Sequence, residues 1–211
     1  MTEATDFSLK KQPVQKRSQF MVTAIKESAA RVLRSHGIEK FNTNTVAEMA
    51  GVSIGSLYQY FGSKEVLIAE VKREHFNELR GLFADAQMNL KTDKLQELVH
   101  VFIDASVQGH MIDPELHRVL SQDLGDFQVK ENDNSEESIV SIVEHTLIRY
   151  KSQLRTGLNL SVASQMVYTL VENTVHDLVL NTRDKARLEQ MVSELKHIVL
   201  VYLQGELSCI K

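Results

Sequence analysis

Apolar residues recur at helical spacing along almost the whole chain. Met21, Ile25, Ala29, Val32 and Leu33 form one stripe that begins near Arg17 and stops before Gly37, a residue suited to ending a helix. The pattern then shortens. Residues 43–50 read as a short helix, with Thr45 and Glu48 fitting a reciprocal N-terminal cap. Gly51-Val52-Ser53 reads as a tight turn, and 54–61 as a second short helix capped by Ser53. Gly62-Ser63 resets the chain. A long helix is predicted over 64–90, carrying Val66, Leu67, Val71, Phe76, Leu79, Leu82 and Phe83. Further helices are predicted over 93–108, 114–124 with Pro114 in the first turn, and 138–154. Another runs from a cap at Asn159 or Ser161 to about Leu180, and the last from Asp184 to about Gln204. Residues 125–137 are polar and acidic and are expected to form a mobile loop. Strand-like alternation never persists and no internal repeat is visible. The expected fold is all-α, with about nine helices.

Composition narrows the class. With 2 Pro and 9 Gly in 211 residues, few positions break helices, and β-rich folds with many turns are disfavoured. The single cysteine, Cys209, cannot form an intrachain disulfide. Charged residues interrupt every apolar stretch, so no membrane span is expected, and residues 1–19 contain no apolar signal-peptide core. A soluble cytoplasmic protein is the expectation.

The net charge of −4 argues against a partner made of phosphates, but its distribution does not. Residues 1–64 hold nine Lys/Arg and five Asp/Glu, a net of +4, while residues 65–211 hold fifteen and twenty-three, a net of −8. A small basic head on a larger acidic body suits a protein that meets a polyanion at one end. An excess of four charges is also within the reach of chance.

The informative stretch is 43–64, TNTVAEMAGVSIGSLYQYFGSK. Short helix, glycine-containing turn, short helix is the helix-turn-helix pattern. Val46, Ala50, Val52, Leu57 and Phe61 supply its apolar contacts, and the small Ala47 and Ala50 let the helices cross closely. Ser53, Ile54, Gly55, Ser56, Tyr58, Gln59 and Tyr60 remain to face outward from the second helix. Hydroxyls bond phosphates, Ile54 suits a thymine methyl, and Gln59 suits an adenine edge.

This stretch resembles the signature of the TetR family of bacterial transcriptional repressors. Val46-Ala47, Ala50-Gly51-Val52-Ser53, Gly55, Leu57-Tyr58, Tyr60-Phe61, Ser63-Lys64-Glu65 and Leu67 all fall in register with it, over roughly residues 18–68. Residues 1–16 lack apolar periodicity, carry Lys10, Lys11 and Lys16, and read as a flexible basic arm. The resemblance implies a three-helix DNA-binding domain over 17–63 and a helical ligand-binding and dimerisation domain over 64–211. It also implies DNA contacts by Thr43, Asn44 and Thr45 at the start of the first motif helix. Ser53, Ile54, Gly55, Ser56, Tyr58 and Tyr60 would serve on the recognition helix, and Lys64 would meet phosphate. Tyr58 has the alternative of packing between helices, Gln59 that of facing solvent, Lys64 that of a solvated helix start, and the arm that of a solubilising tail.

The last two predicted helices are apolar over more than one stripe, which calls for a second buried surface. The resemblance supplies one, a homodimer through these helices that presents two recognition helices to a palindromic double-stranded operator. Two central helices in a monomeric body are the alternative. The family also implies a small-molecule inducer inside the body. Phe102, Met111, His117, Leu120, Ile142, Met166, Leu170 and His176 are the expected liners, although such residues at helical spacing also make ordinary core. The eight histidines show no metal-ligand spacing, so neither a metal nor any other cofactor is expected. No nucleophile elbow, phosphate loop or H-E-x-x-H motif is present, so catalysis is not expected. The expected function is a DNA-binding repressor released by an inducer. The alternative is a helix-turn-helix regulator without an inducer, governed by protein partners or acting as an activator.

Overall fold

The computed structural model describes residues 9–90, 92–122, 139–182 and 184–205. These residues form nine α-helices, one short 3-10 turn and no strand. The helices are α1 (Lys16–His36), α2 (Thr43–Met49), α3 (Ile54–Tyr60), α4 (Lys64–Asn89), α5 (Leu95–Ile112), α6 (Pro114–Gln122), α7 (Ile139–Arg149), α8 (Leu160–Asn181) and α9 (Lys185–Gln204). The loop expected over 125–137, the terminal Cys209 and the first eight residues of the arm lie outside the described residues. No helix among the described residues is long and apolar enough to cross a membrane.

Local chemistry sets most of the helix ends. α1 stops at Gly37, whose φ of 67° lies in the region that favours glycine, and whose N–H closes on the Leu33 carbonyl at 2.8 Å. Ser63 Oγ accepts from Val66 N at the start of α4. Asn159 caps α8 by accepting from Val162 N, and Asp184 caps α9 by accepting from Ala186 N. One expected cap is corrected. Thr45 and Glu48 do not cap α2. Asn42 has extended backbone and accepts from Asn44 N at 2.8 Å, which places Glu48 in the last turn, out of reach of the helix start.

The described residues pack as two units. The first takes residues 9–77 and 115–122. Its core joins Val22, Ile25, Ala29, Val32 and Leu33 of α1 to Val46, Leu57 and Phe61 of the motif, Val66, Leu67, Ile68 and Val71 of α4, and Leu116, Val119 and Leu120 of α6. Packing therefore divides the chain within α4, after Asn77, and not at the 63/64 boundary expected from sequence. The first half of α4 buries Val66, Leu67, Ile68 and Val71 in the core of the first unit.

The second unit takes residues 78–114 and the described residues from 139 onward. Leu95, Leu98, Val99 and Ile103 of α5 pack with Leu147, Tyr150, Ala163, Val175, Leu178, Val192, Leu195, Val199 and Leu203. The 3-10 turn at Lys151–Gln153 fastens the start of α5. Tyr150 donates to the Thr92 carbonyl at 2.8 Å, and Gln153 Oε1 accepts from Leu95 N at 2.9 Å. Arg155 closes the end of α9. Its backbone N–H donates to the Leu203 carbonyl and its guanidinium to that of Tyr202.

Candidate nucleic-acid interface

The turn between α2 and α3 is built from three local devices. Gly51 has a φ of 66°, Val52 N donates back to the Ala47 carbonyl at 3.0 Å, and Ser53 caps α3 by accepting from Ser56 N at 3.1 Å. The two serine hydroxyls also bond each other at 2.8 Å. Leu57 is fully buried, and from it Tyr60 and Phe61 follow at helical spacing onto the same inward face.

The outward face carries Ser53, Ile54, Gly55, Tyr58 and Gln59, all exposed, with Ser56 at its edge. A Cβ added at Gly55 would meet nothing closer than Ser53 Oγ at 3.8 Å, so the glycine leaves the surface open and fills no internal gap. Tyr58 is 39% exposed, and its hydroxyl bonds Thr43 Oγ1 at 3.0 Å. That bond ties the two motif helices together. Asn44 is exposed and Thr45 half-buried, both on the first turn of α2.

Tyr60 is corrected. It is 6% exposed and belongs to the core, because it lies one turn beyond Leu57 on the inward face. Thr43 is also buried, with its hydroxyl turned to Tyr58. Lys64 is half-buried. Its ammonium lies 3.4 Å from the Ile38 carbonyl oxygen and 5.6 Å from the centre of the Phe41 ring. An ammonium carries three donors, so one long bond to a carbonyl leaves others for an anion.

The arm is held further back along the chain than expected. Leu9 packs against the first unit's core, Lys10 N donates to the Tyr60 carbonyl at 2.9 Å, and Lys16 already belongs to α1. The backbone bond satisfies a carbonyl at the end of α3 and sets the exposed Lys10 and Lys11 beside it. Nothing in the sequence announced this contact, since one backbone bond and one leucine leave no periodic trace.

The second unit contains an apolar hollow of about 60 Å³. Its walls include Phe83 of α4, Phe102 and Ile103 of α5, Val143 and Leu147 of α7, Val171 of α8 and Val199 of α9. The Phe83 and Phe102 rings lie 5.8 Å apart. Four polar residues, Ser106, Thr146, Tyr168 and Glu172, interrupt the lining.

Two stretches of the chain match known families. Residues 25–71 match "Bacterial regulatory proteins, tetR family", and residues 94–203 match "Tetracyclin repressor-like, C-terminal domain". The chain belongs to the TetR family. It is 23% identical over 187 residues to the fatty acid metabolism regulator protein of Bacillus subtilis, which covers 86% of this chain and 95% of that one. It is 32% identical over 94 residues to the HTH-type transcriptional regulator BetI of Agrobacterium fabrum, a match covering 44% of each. The fold is shared with the fatty acid degradation regulator FadR of Bacillus halodurans, at a TM-score of 0.71, 21% identity, and coverage of 85% of this chain and 94% of that one. It is shared too with NalD of Pseudomonas aeruginosa, at a TM-score of 0.67, 18% identity, and coverage of 92% and 100%.

This TetR-family protein is therefore a DNA-binding transcriptional regulator, and its family is not one of enzymes. Of the liners expected for an inducer pocket, only Phe102 borders the hollow. Met111, Met166 and Leu170 point outward and are exposed. Leu120 is core of the first unit. His117 lies buried in that same unit, with Nδ1 2.9 Å from His75 Nε2. Ile142 is half-buried on α7 but is not part of the wall, and the His176 ring lies edge-on to that of His110, 6.1 Å away. Sequence could not sort these residues, because apolar residues at helical spacing do not record whether their face meets a cavity, a core or solvent. One signal was present and unused. Glu172 is the only carboxylate between Glu144 and Asp177.

Proposed function

We propose that this regulator is a repressor that grips a palindromic operator as a homodimer and lets go when a small apolar molecule enters the hollow of its second unit. One observation carries the DNA reading. The face of α3 formed by Ser53, Ile54, Gly55, Tyr58 and Gln59 is open, while Leu57, Tyr60 and Phe61 hold the helix from behind. In this reading Ile54 and Gln59 meet base edges. Asn44, Thr45, Ser53, Ser56, Tyr58 and Lys64 meet phosphates, with Thr43 fixing Tyr58, and Gly55 lets the two backbones approach. Lys10 and Lys11 add charge at the far end of the helix.

The dimer reading is supported by apolar side chains left exposed at helical spacing. Val162, Met166 and Leu170 run along α8, and Met191 and Ile198 along α9. A stripe of this kind on two adjacent helices is what a second copy covers. The induction reading is supported by α4, which supplies Lys64 to one site and Phe83 to the other. A ligand that pushes on Phe83 acts on the helix whose first residue faces DNA, and it works only by binding one arrangement better than the other. A DNA-binding regulator of this kind works in the cytoplasm.

The test is a mobility-shift assay at low salt on the regulator's own upstream region, paired with light scattering. The expected result is a shifted band from a dimer, lost in a Val162→Glu, Ile198→Glu variant that scatters as a monomer. A monomeric wild-type protein that still shifts the DNA would overturn the dimer reading. Repression is read from transcription of the flanking genes, which rises when the protein is removed. A fall would make it an activator.

A further inference from the structure

The wall of the hollow narrows the ligand beyond its apolar character, and this inference rests on the reading just given, that the hollow receives a small molecule. Twelve of the sixteen lining residues are aliphatic or phenylalanine, and no Lys, Arg or His is among them. An acidic head would leave water and meet no cation in the wall. The one carboxylate there, Glu172, is already engaged. His110 Nε2 lies 3.5 Å from one of its oxygens, and the two form an ion pair once the imidazole is protonated. A basic head would have to compete with that neighbour. The hollow therefore suits an uncharged molecule.

The other polar residues of the wall are not equivalent. The Thr146 hydroxyl donates to the Ile142 carbonyl at 2.6 Å and accepts from the Gln87 amide at 3.2 Å. Tyr168, like Glu172, holds contacts of its own. Ser106 differs. It lies one turn beyond Phe102 on α5 and is 3% exposed, and among the described residues its hydroxyl forms no hydrogen bond. His110 Nδ1, 2.8 Å away, meets the backbone carbonyl of Ser106 and not its side chain. A buried hydroxyl left unbonded is destabilising, and a ligand that bonds it recovers that cost. Because a serine hydroxyl both donates and accepts, its fitting partner is a neutral oxygen. Size sets the rest. The hollow's volume of about 60 Å³ is a few times the roughly 10–15 Å³ that one water needs, room for about five or six non-hydrogen atoms.

We propose that the hollow takes a small uncharged molecule bearing one neutral oxygen, which bonds the Ser106 hydroxyl while its hydrocarbon lies along Phe83, Phe102, Val143 and Val171. Pentanol, pentanoate and pentylamine share a chain and differ in the head. Binding of each to the full-length protein is measured by NMR titration at neutral pH. Pentanol is expected to bind about tenfold or more tightly than either charged analogue, which must bury its charge. From propanol to pentanol the affinity should rise about fourfold for each CH₂, then level off toward octanol as the hollow fills. Ser106→Ala should weaken pentanol binding about two- to tenfold, the worth of a neutral hydrogen bond, and leave the gain per carbon unchanged. Alanine suits a helix, so the variant is expected to fold. Ser106→Cys, which keeps the volume with a weaker hydrogen-bonding group, should show the same loss.

Equal binding of the three heads, tighter binding of pentanoate or pentylamine, or binding of none would each overturn the inference. So would pentanol affinity unchanged in both folded Ser106 variants, or an affinity that climbs at the same rate through octanol. Release of the upstream DNA is followed in parallel. Pentanol that binds as expected without releasing DNA sinks the induction reading and leaves the ligand class standing. Pentanoate that binds best and releases DNA does the reverse.

Discussion

Gly55→Ala separates the two roles that a small residue on a recognition helix can have. In the protein alone, the added methyl meets only Ser53 Oγ at 3.8 Å, an ordinary contact, and the position does not need a left-handed backbone. Alanine in place of glycine within a helix stabilises by up to about 1 kcal/mol. For a chain of this size, that raises the melting temperature by roughly 2–4 °C. In the proposed complex, the same methyl would stand where protein backbone approaches the duplex. A group forced into a packed contact costs typically 1–3 kcal/mol, about a 5- to 150-fold loss of affinity. The variant is expected to melt at or above the wild-type temperature and to bind labelled upstream DNA more weakly in fluorescence anisotropy. Gly62→Ala is the control. It too has open space around it but lies outside α3, and it should move neither measurement by more than about 0.5 kcal/mol. A Gly55→Ala protein that melts early would refute the account of open space. One that melts normally and binds normally would refute the account of close approach.

Three further outcomes are expected. Tyr58→Phe and Thr43→Val each remove one end of the 3.0 Å hydroxyl bond between α2 and α3 and should each cost about 1 kcal/mol of stability in denaturant titration; the double variant should cost less than the sum, and strict additivity would mean the bond contributes nothing. Lys64→Ala should weaken binding to related and unrelated sequences alike and lower the slope of log affinity against log salt by about two for the dimer, one per subunit, whereas Ile54→Ala or Gln59→Ala should alter sequence preference at an unchanged slope. Gly205→Ala should destabilise by about 1–3 kcal/mol in thermal melts without changing DNA affinity of the folded fraction, because its φ is 88° and a Cβ there would stand 2.4 Å from that of Arg155; an unchanged melt would refute the closure assigned to that residue.

What a stretch of chain does with its immediate neighbours was legible before any coordinates. The 3.6-residue stripe of α1, its end at Gly37, the cap at Ser53 and the glycine bend at Gly51 depend on contacts within a few residues, and all are found where the pattern placed them. The open face of α3 was legible too, as the complement of the inward Leu57 and Phe61, and Tyr60 could have been assigned to the core from its spacing to Leu57. The cap of α2 was misplaced because Asn42 and Thr45 both have oxygen-bearing side chains within a few residues of the helix start, and backbone geometry chooses between them.

Tertiary structure alone decided the rest. Helices with apolar residues on several faces do not record which face meets which partner, so Met166 and Leu170 turned outward while Val143 and Val171 formed the wall of the hollow. The pairing of Glu172 with His110 and the anchoring of Lys10 on Tyr60 join residues 62 and 50 positions apart. No local periodicity encodes such a pair, because its free energy arises only when the elements carrying the two residues pack. That is why the open face of α3, set by one short helix and its cap, could be read from the chain, and the hollow assembled from α4, α5, α7, α8 and α9 could not.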